Sequence, residues 1–216
     1  TGGRQFVSSF DRPNIRYQIV EKGNGRKQLL DFITSEHGGD SGIVYCLSRK
    51  DTHTMADALA QHSSGRIRTG VYHSDLDEAE KHRVHAQWRT GAIQVVCATI
   101  AFGMGIDKGD VRFVVHACIS KSLEGYYQET GRAGRDGAPS DCVLLYRAAA
   151  DMSRVSGMTA SEVGAQAKLH AMLRYAQSEL CRQSILATYF DEPRTEPCGV
   201  CDRCQSPPPR HADVSV

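Results

Sequence analysis

The sequence predicts an α/β fold: a parallel sheet with helices on both faces, followed by a small helical subdomain that binds a metal. Short apolar runs of strand length alternate with helical segments, as in parallel sheets. Each run is almost continuously apolar, which is typical of strands buried on both faces. Cysteines near the end of the chain have the spacing of a structural metal site. The 216 residues suffice for one full domain and a smaller one.

The elements are predicted in order from periodicity and breaker residues. Leu29, Leu30 and Ile33 recur with helical period, and Gly38 with Gly39 ends that helix. The predicted helices span 26–37, 51–62, 75–91 and 165–180, and SELCRQSILATYF has a helical pattern around Cys181. The predicted strands lie at 42–47, within 66–73, and at 92–99, 111–117 and 142–146. The proline-rich end is expected to be disordered.

Charge and cysteine usage limit the class of protein. The formal net charge is only +1, so a basic surface for nucleic acid must be local. No run of eighteen apolar residues suggests a membrane span, and the first residues lack the pattern of a signal peptide. Four cysteines in or beside apolar runs are expected to be buried free thiols, which favours an intracellular, reducing setting. They are Cys46, Cys97, Cys118 and Cys142.

Residues 126–137, YYQETGRAGRDG, are the least typical of ordinary packing. If they are helical, Gln128, Arg132 and Arg135 share one face about one turn apart. The three interspersed glycines disfavour a purely structural helix and let a backbone approach a ligand closely. Two guanidinium groups on one face suit a phosphate chain. The alternative is a solvated helix end with a glycine cap.

Polar residues follow several predicted strands, at the edge where parallel sheets bind ligands. Hydroxyl groups, basic side chains and backbone amides at this edge can hold a nucleic-acid backbone without reading its sequence. The candidates are Ser48, Arg49, Lys50, His73, Ser74 and Thr99. Ser48 could instead cap the next helix, and His73 could be a packed histidine. In the loop after Thr99, Gly103 and Gly105 indicate close backbone approach to a ligand, or a simple tight turn.

Four cysteines near the end form the candidate metal site. Cys198, Cys201 and Cys204 lie within seven residues, and Cys181 precedes them by seventeen. Four thiolates provide the closed tetrahedral set of a structural zinc, with no open position for water. His170 and His211 are alternative ligands with poorer spacing, and a set of unrelated buried cysteines is the non-functional alternative.

Several of these stretches resemble the RecQ family of superfamily-two DNA helicases. QETGRAGRDG resembles the last conserved helicase motif, ATIAFGMGIDK motif five, YCLSRK motif four, and YHSDLD the short motif after it. The likeness runs from SFDRPNIRY at 9–17 to Cys204. The resemblance implies that Arg135 is an arginine finger toward ATP, together with Arg132 and Gln128. It also implies that Asp107 and Gly105 lie near ATP, and that Thr99 and Lys121 face DNA.

The resemblance implies a RecA-like second helicase domain over 1–150, a zinc-binding subdomain over 151–206 and a tail over 207–216. The whole enzyme would be an ATP-dependent 3′–5′ DNA helicase of repair, recombination or replication, nuclear if eukaryotic. It would bind single-stranded and forked DNA, and winged-helix and HRDC-type modules are not seen. No GxxxxGK[ST] or DExH-like run is present, so ATP and Mg²⁺ are expected mainly on a first lobe. The isolated chain should then be inactive as an ATPase. A non-catalytic DNA-binding scaffold or an RNA-helicase lobe are the alternatives.

Overall fold

Six strands in the described part of the chain form one sheet, with helices between most of them. The structure is a computed structural model that describes residues 11–103, 107–148, 150–151 and 163–207. In chain order the elements are β1 (Ile15–Glu21), α1 (Gly25–Glu36), β2 (Ser41–Tyr45), α2 (Arg49–His62), β3 (Thr69–Tyr72), α3 (Glu78–Arg89), β4 (Val95–Ala98), β5 (Val111–His116), α4 (Leu123–Thr130), β6 (Ser140–Tyr146), α5 (Val163–Gln177), α6 (Arg182–Tyr189) and α7 (Asp202–Gln205).

The sheet is parallel throughout, which confirms the predicted fold class. Its strand order is β1-β6-β5-β2-β4-β3, and every neighbouring pair is parallel. All strands therefore begin at one edge, here called the amino edge, and end at the other, the carboxyl edge. Loops from β2, β3, β4 and β5 meet at the carboxyl edge, where open α/β sheets bind ligands.

Both faces of the sheet are covered, as the nearly continuous apolar strands predict. Alternate side chains of β2 point to opposite faces: Ile43 and Tyr45 to one, Val44 to the other. Helices α1 and α2 bury their apolar residues on the Val44 face. Helices α3, α4, α5 and α6 contribute to the other apolar cluster, together with Cys201.

Strand β1 was not among the predicted strands. Ile15 and Tyr17 are buried, whereas Arg16 and Val20 are exposed, so the strand alternates and lacks a continuous apolar run. It alternates because it is an edge strand, paired only with β6 in the sheet. Its outer side is covered near the chain end, where Ile19 N–H donates to the Asp202 carboxylate at 3.1 Å. Such cover protects an edge from pairing with another chain.

Capping side chains set the helix starts, which differ from the predicted ones by a few residues. Ser48 and Asp51 form a reciprocal capping box, so α2 begins at Arg49. Asp77 accepts the N–H of Glu80 at 2.7 Å, so α3 begins at Glu78. The helical pattern around Cys181 is confirmed from Arg182 onward, and Cys181 itself occupies the cap position before α6.

The C-terminal helices share a core with the sheet. The predicted apolar stripe of α5 is buried: Leu169, Met172, Leu173 and Ala176. Tyr175 packs on Tyr126 of α4 with ring centroids 5.4 Å apart, and Tyr126 packs on Tyr17 of β1 at 6.3 Å. The parts on either side of residue 150 are thus joined by one apolar cluster. Among the described helices, none has the length and apolar character needed to cross a membrane.

Candidate functional site

The glycine-rich stretch forms a turn at the amino edge, here called the arginine loop (residues 131–138). Helix α4 ends at Thr130, so Gln128, Arg132 and Arg135 do not lie on one helical face. Gly134 has φ +54°, and its N–H donates to Val111 O at 2.9 Å, which ties the loop to the start of β5. A Cβ at Gly134 would lie 2.4 Å from Asn14 Nδ2 and 2.7 Å from Ala138 O. Glycine is therefore required there for both conformation and space.

The two arginines of this loop have different surroundings. Arg132 is buried against the Tyr45 hydroxyl, and burial raises the pKa of Tyr45 although the charge of Arg132 opposes the rise. Arg135 is 38% exposed, and its Nη1 lies 3.4 Å from Oδ1 of the exposed Asp107. Such an ion pair between exposed groups contributes little to stability. Gln128 is exposed on the last turn of α4, and Gly105 lies outside the described residues.

Two side chains that sequence reasoning missed, in the segment just before β1, hold the arginine loop. Arg12 donates to the carbonyl oxygens of Gly131, Ala133 and Gly134 at 3.3, 2.7 and 3.2 Å. Asn14 donates to those of Gly134 and Ala138 at 2.8 and 3.0 Å. Both belong to the SFDRPN segment, which contributes to the family resemblance but carries no local pattern that reveals such contacts.

The candidate DNA-facing residues of the β2 loop are exposed at the carboxyl edge. Ser48 uses its hydroxyl as the cap of α2: it accepts from Asp51 N–H at 3.2 Å and donates to the Asp51 carboxylate at 2.7 Å. The capping alternative is thus what the structure contains. Arg49 forms an ion pair with Asp75 of the β3 loop, and Lys50 is exposed beside it.

The remaining candidates lie along the same edge. His73 is buried, with its Nε2 3.1 Å from Nε2 of His53; burial first and the His53 charge second lower the pKa of His73. Ser74 is exposed and donates to Asp75 at 3.0 Å. Thr99 is half-buried, and Lys121 is exposed. A neutral, packed His73 fits the structural alternative better than a phosphate ligand.

A cleft of about 100 Å³ brings the loops of β2, β4 and β5 together, with Leu47, Thr99 and Lys121 in its lining. A hydrogen-bonded network that sequence reasoning also missed lines the same cleft. His116 Nε2 is 2.6 Å from a carboxylate oxygen of Glu129, which also accepts from Ser120 Oγ at 2.9 Å. His116 stacks on Tyr45 at 5.1 Å, and Tyr45 donates to Phe102 O at 2.9 Å. The network connects the cleft with α4, which ends in the arginine loop.

Four cysteine sulfurs converge as the spacing predicts. Cys181, Cys198, Cys201 and Cys204 place their Sγ atoms within 4.8 Å of one another. The Cys198–Cys204 and Cys201–Cys204 Sγ pairs are 3.8 and 3.5 Å apart. A tetrahedral zinc with bonds of about 2.3 Å spaces its sulfurs by about 3.8 Å. His170 is exposed outside the cluster, and His211 lies outside the described residues.

Backbone N–H groups surround these sulfurs, as thiolates require. Cys198 N–H donates to Cys181 Sγ at 3.2 Å, Cys201 N–H to Cys198 Sγ at 3.3 Å, and Arg182 N–H to Cys201 Sγ at 3.4 Å. Burial alone would raise the pKa of Cys181, but hydrogen bonds from Ser184 and Cys198 outweigh it and lower the pKa to about 6, whereas burial raises the pKa of Cys198 and of Cys204. The donor set fits a structural zinc ion with four thiolate ligands.

A buried arginine links the elements around the cysteines. Arg182 is 1% exposed and donates to both oxygens of Asp202, at 2.8 and 3.0 Å. It also donates to Tyr175 O at 2.8 Å and Ser178 O at 3.0 Å. A buried charge of this kind is tolerated because its hydrogen bonds are satisfied. It joins α5, α6 and α7 around the metal site.

Two protein families match the chain. The helicase conserved C-terminal domain matches residues 24–137, and the RecQ zinc-binding domain matches residues 149–205. Similar proteins include the ATP-dependent DNA helicase Q-like 2 of Arabidopsis thaliana, which is 43% identical over 98% of this chain. The ATP-dependent DNA helicases Q1 of Rattus norvegicus and RecQ of Haemophilus influenzae are each 41% identical, over 92% and 96% of the chain. The chain covers only 30%, 32% and 34% of these relatives.

Solved structures of lower identity share the fold. A DEAD box protein from Methanococcus jannaschii has a TM-score of 0.54 and 20% identity, over 74% of this chain and 40% of its own. The yeast DEAD-box splicing factor Prp28 has a TM-score of 0.58 and 21% identity, over 67% of this chain and 32% of its own. At such identities the likeness concerns the fold alone, and it agrees with the predicted RecA-like sheet.

Proposed function

The chain belongs to the RecQ family of superfamily-two DNA helicases, and we propose that it is the second motor lobe of an ATP-dependent 3′–5′ DNA helicase. The two matched families agree with a motor domain up to about residue 150 and a zinc-binding subdomain after it. The names of the similar proteins favour DNA over RNA as substrate. A part in repair, recombination or replication, and a nuclear location in a eukaryote, belong to the same proposal.

The observation that carries the proposal is the arrangement at the arginine loop. Arg135 extends from a tightly held turn toward Asp107, while Arg132 is fixed beneath it. In a two-lobe motor, ATP and Mg²⁺ sit mainly on the first lobe, and this loop faces the phosphates across the cleft. Arg135 would stabilise the charge that develops on the transferred phosphoryl group. Arg132 would stabilise the arginine loop and add a positive charge on the side of the cleft that faces the nucleotide.

DNA would run along the carboxyl edge. Arg49, Lys50 and Lys121 are exposed there and would contact phosphates, and the backbone around Thr99 would add polar contacts. Helix α4 runs from this edge to the arginine loop. The two lobes would close on ATP and reopen after hydrolysis. Each cycle would then move the carboxyl edge of this lobe along one DNA strand. The contacts would be independent of sequence and sensitive to salt.

Arg135→Ala tests the proposal in a polypeptide that joins this chain to a RecQ first lobe. The expected result is a loss of DNA-stimulated turnover by a factor on the order of 10³ or more, with nearly unchanged ATP binding. Turnover is measured by phosphate release, and binding by a fluorescent ATP analogue. Arg83→Ala is the control, because Arg83 is an exposed arginine of α3 paired only with its own helix.

Two results would count against the proposal. Normal hydrolysis by Arg135→Ala would require another residue as the finger. Robust DNA-dependent hydrolysis by the isolated chain would contradict the assignment of the catalytic half to another lobe. A joined protein that binds DNA but never hydrolyses ATP would instead favour the non-catalytic scaffold.

A further inference from the structure

Most N–H groups of the arginine loop donate to backbone carbonyls, but its own carbonyl oxygens have few backbone donors, one of them Gly137 N–H to Gly134 O at 3.0 Å. The loop lies beyond the end of α4, so its carbonyl oxygens have no helical N–H to accept from. Arg12 and Asn14 supply five hydrogen bonds to four of these oxygens, those of Gly131, Ala133, Gly134 and Ala138. The flat guanidinium fork suits several acceptors at once, which a lysine ammonium on a flexible stem does not.

These contacts lie next to and between Arg132 and Arg135, the two arginines proposed to act on the nucleotide. Arg12 fixes the carbonyl before Arg132 and the two carbonyls between Arg132 and Arg135. Because Gly131, Gly134 and Gly137 interrupt the loop, its backbone would otherwise have high conformational entropy. Arg12 therefore acts together with the backbone hydrogen bonds of the loop to set the direction in which both arginine side chains leave it.

Arg12 is itself held from the zinc-binding part of the chain. Gln183, in the first turn of α6, is buried and donates to Arg12 O at 3.0 Å and to Ile15 O at 2.9 Å. Asp11 forms an ion pair with Arg194, which follows the same helix. The segment 11–15 is thus clamped between α6 and the arginine loop.

We propose that Arg12 is a positioning residue for Arg132 and Arg135, and that Gln183 fixes Arg12 in that role. The inference rests on the proposed action of the two arginines on ATP. Arg12 does not touch the nucleotide; it sets the loop so that Arg135 reaches the phosphates when the lobes close. Displacement of a catalytic group by about 1 Å can cost about a hundredfold in rate.

The test uses Arg12→Ala, Arg12→Lys and Gln183→Ala in the joined two-lobe protein. Arg12→Ala should lower kcat by about tenfold to a hundredfold, while KM for ATP changes little. Arg12→Lys should recover only a small part of the loss, and Gln183→Ala should show a weaker loss of the same kind. Free guanidinium at non-denaturing concentration should partly restore Arg12→Ala. Arg16→Ala is the control, since Arg16 lies four residues after Arg12, in β1, but pairs with Asp141 and Glu36.

The double variant Arg12→Ala/Arg135→Ala separates positioning from a general structural role. If Arg12 acts through the finger, the double variant should be scarcely slower than Arg135→Ala alone. Additive losses in the double variant would overturn the inference. It would also be overturned if guanidinium gave no rescue and Arg16→Ala lost as much activity as Arg12→Ala. A large loss in Arg135→Ala with normal kcat in Arg12→Ala would overturn it while leaving the proposed function intact. A normal kcat in Arg135→Ala would refute the proposed function itself, and with it the inference about Arg12. If Arg12→Ala does not fold, Arg12→Lys and Gln183→Ala decide.

Discussion

His37 lies between two carboxylates at the end of α1. Its Nδ1 is 3.0 Å from Asp40 and its Nε2 3.1 Å from Asp141, and the rings of Phe32 and Phe113 cover it. Burial is the largest influence and would lower the pKa of His37, but the hydrogen bonds to Asp141 and Asp40 outweigh it and raise the pKa. The pKa of Asp141 is lowered, because hydrogen bonds from His37 and Arg16 outweigh the effect of its burial.

The charged His37 should therefore stabilise the fold on the acid side of neutrality. A raised folded pKa gives a contribution that is complete below the unfolded value of about 6.5 and is lost as pH rises through the folded pKa. His37→Gln should lower the free energy of unfolding by on the order of 1–3 kcal/mol at mildly acid pH, and by less at alkaline pH. At strongly acid pH the difference should also shrink, as Asp141 is protonated.

Urea unfolding of both proteins across this pH range measures the effect, with zinc present throughout. His62→Gln is the control, because His62 is exposed on α2 and its Nδ1 lies 2.8 Å from Ala58 O of the same helix. A difference between wild type and His37→Gln that grows toward alkaline pH would contradict the charge-based explanation.

Single residues were predictable from sequence where the signal is local. Spacing alone indicated the four cysteines, and their sulfurs converge. The hydroxyl of Ser48 was left open between capping and DNA, and the structure contains the cap. Arg12, His116 and Glu129 were missed because their partners lie on other elements, and only tertiary contacts reveal them.

At the scale of elements, the sequence predicts the length and burial of the interior strands but not the edge strand β1. Buried strands such as β4 and β5 are recognisable in the sequence as apolar runs. In β1, buried and exposed residues alternate near its start because it is an edge strand. The stretch 126–137 was treated as a possible helix, yet only its first part is helical. The helix ends at Thr130 with Gly131 as its cap, and Gly134, with its positive φ and close neighbours, belongs to the turn that follows. Glycine content hinted at this, but the partner backbone at Val111 could not be read from sequence.

The carboxyl edge is the element-scale feature that should bind DNA. Loops from four parallel strands meet there, with Arg49 and Lys121 exposed on different loops. Neutralising either one should weaken DNA binding about equally for unrelated sequences and reduce the salt slope by roughly one unit, because one phosphate contact is lost. The effects of Arg49→Ala and Lys121→Ala should add, since the residues are on separate loops.

Fluorescence anisotropy with two unrelated single strands, over a series of salt concentrations, measures this in the joined protein. Arg68→Ala is the matched control, because Arg68 is an exposed arginine that precedes β3 at the amino edge. A loss confined to one DNA sequence, or an unchanged salt slope in both edge variants, would show that this edge does not hold the phosphate backbone.

The two parts of the chain that the two families match are not independent domains in the structure, because they share a core. If the two parts were independent domains, loss of zinc would melt the region after about residue 150 and spare the preceding domain. The structure instead joins both parts through one apolar cluster and through specific contacts. Asp202 accepts from Ile19 N–H of β1, and Gln183 holds the backbone of Arg12. Disorder around the cysteines should therefore reach the outer edge of the sheet.

Metal removal tests this coupling. The loop from Glu196 to Cys204 has almost no apolar residue, so its order should depend on a zinc ion worth on the order of 10 kcal/mol. Chelation, or Cys201→Ser, should abolish hydrogen-exchange protection in α6 and α7. It should also weaken protection at Ile19 and in the arginine loop, while β2, β4 and β5 in the sheet interior stay protected. The released thiols should make the protein more prone to oxidation and aggregation.

Metal analysis of protein purified without chelator should give one zinc per chain, and hydrogen exchange with and without the ion then locates the effect. Cys118→Ser is the matched control, because Cys118 lies outside the cysteine cluster. A zinc content near zero, or equal protection in both states, would refute the metal site. Loss confined to residues after 150 would refute the coupling alone. Loss of the central strands as well would show that the sheet cannot hold its fold without the ion, since the contacts of Asp202 and Gln183 reach only its outer edge.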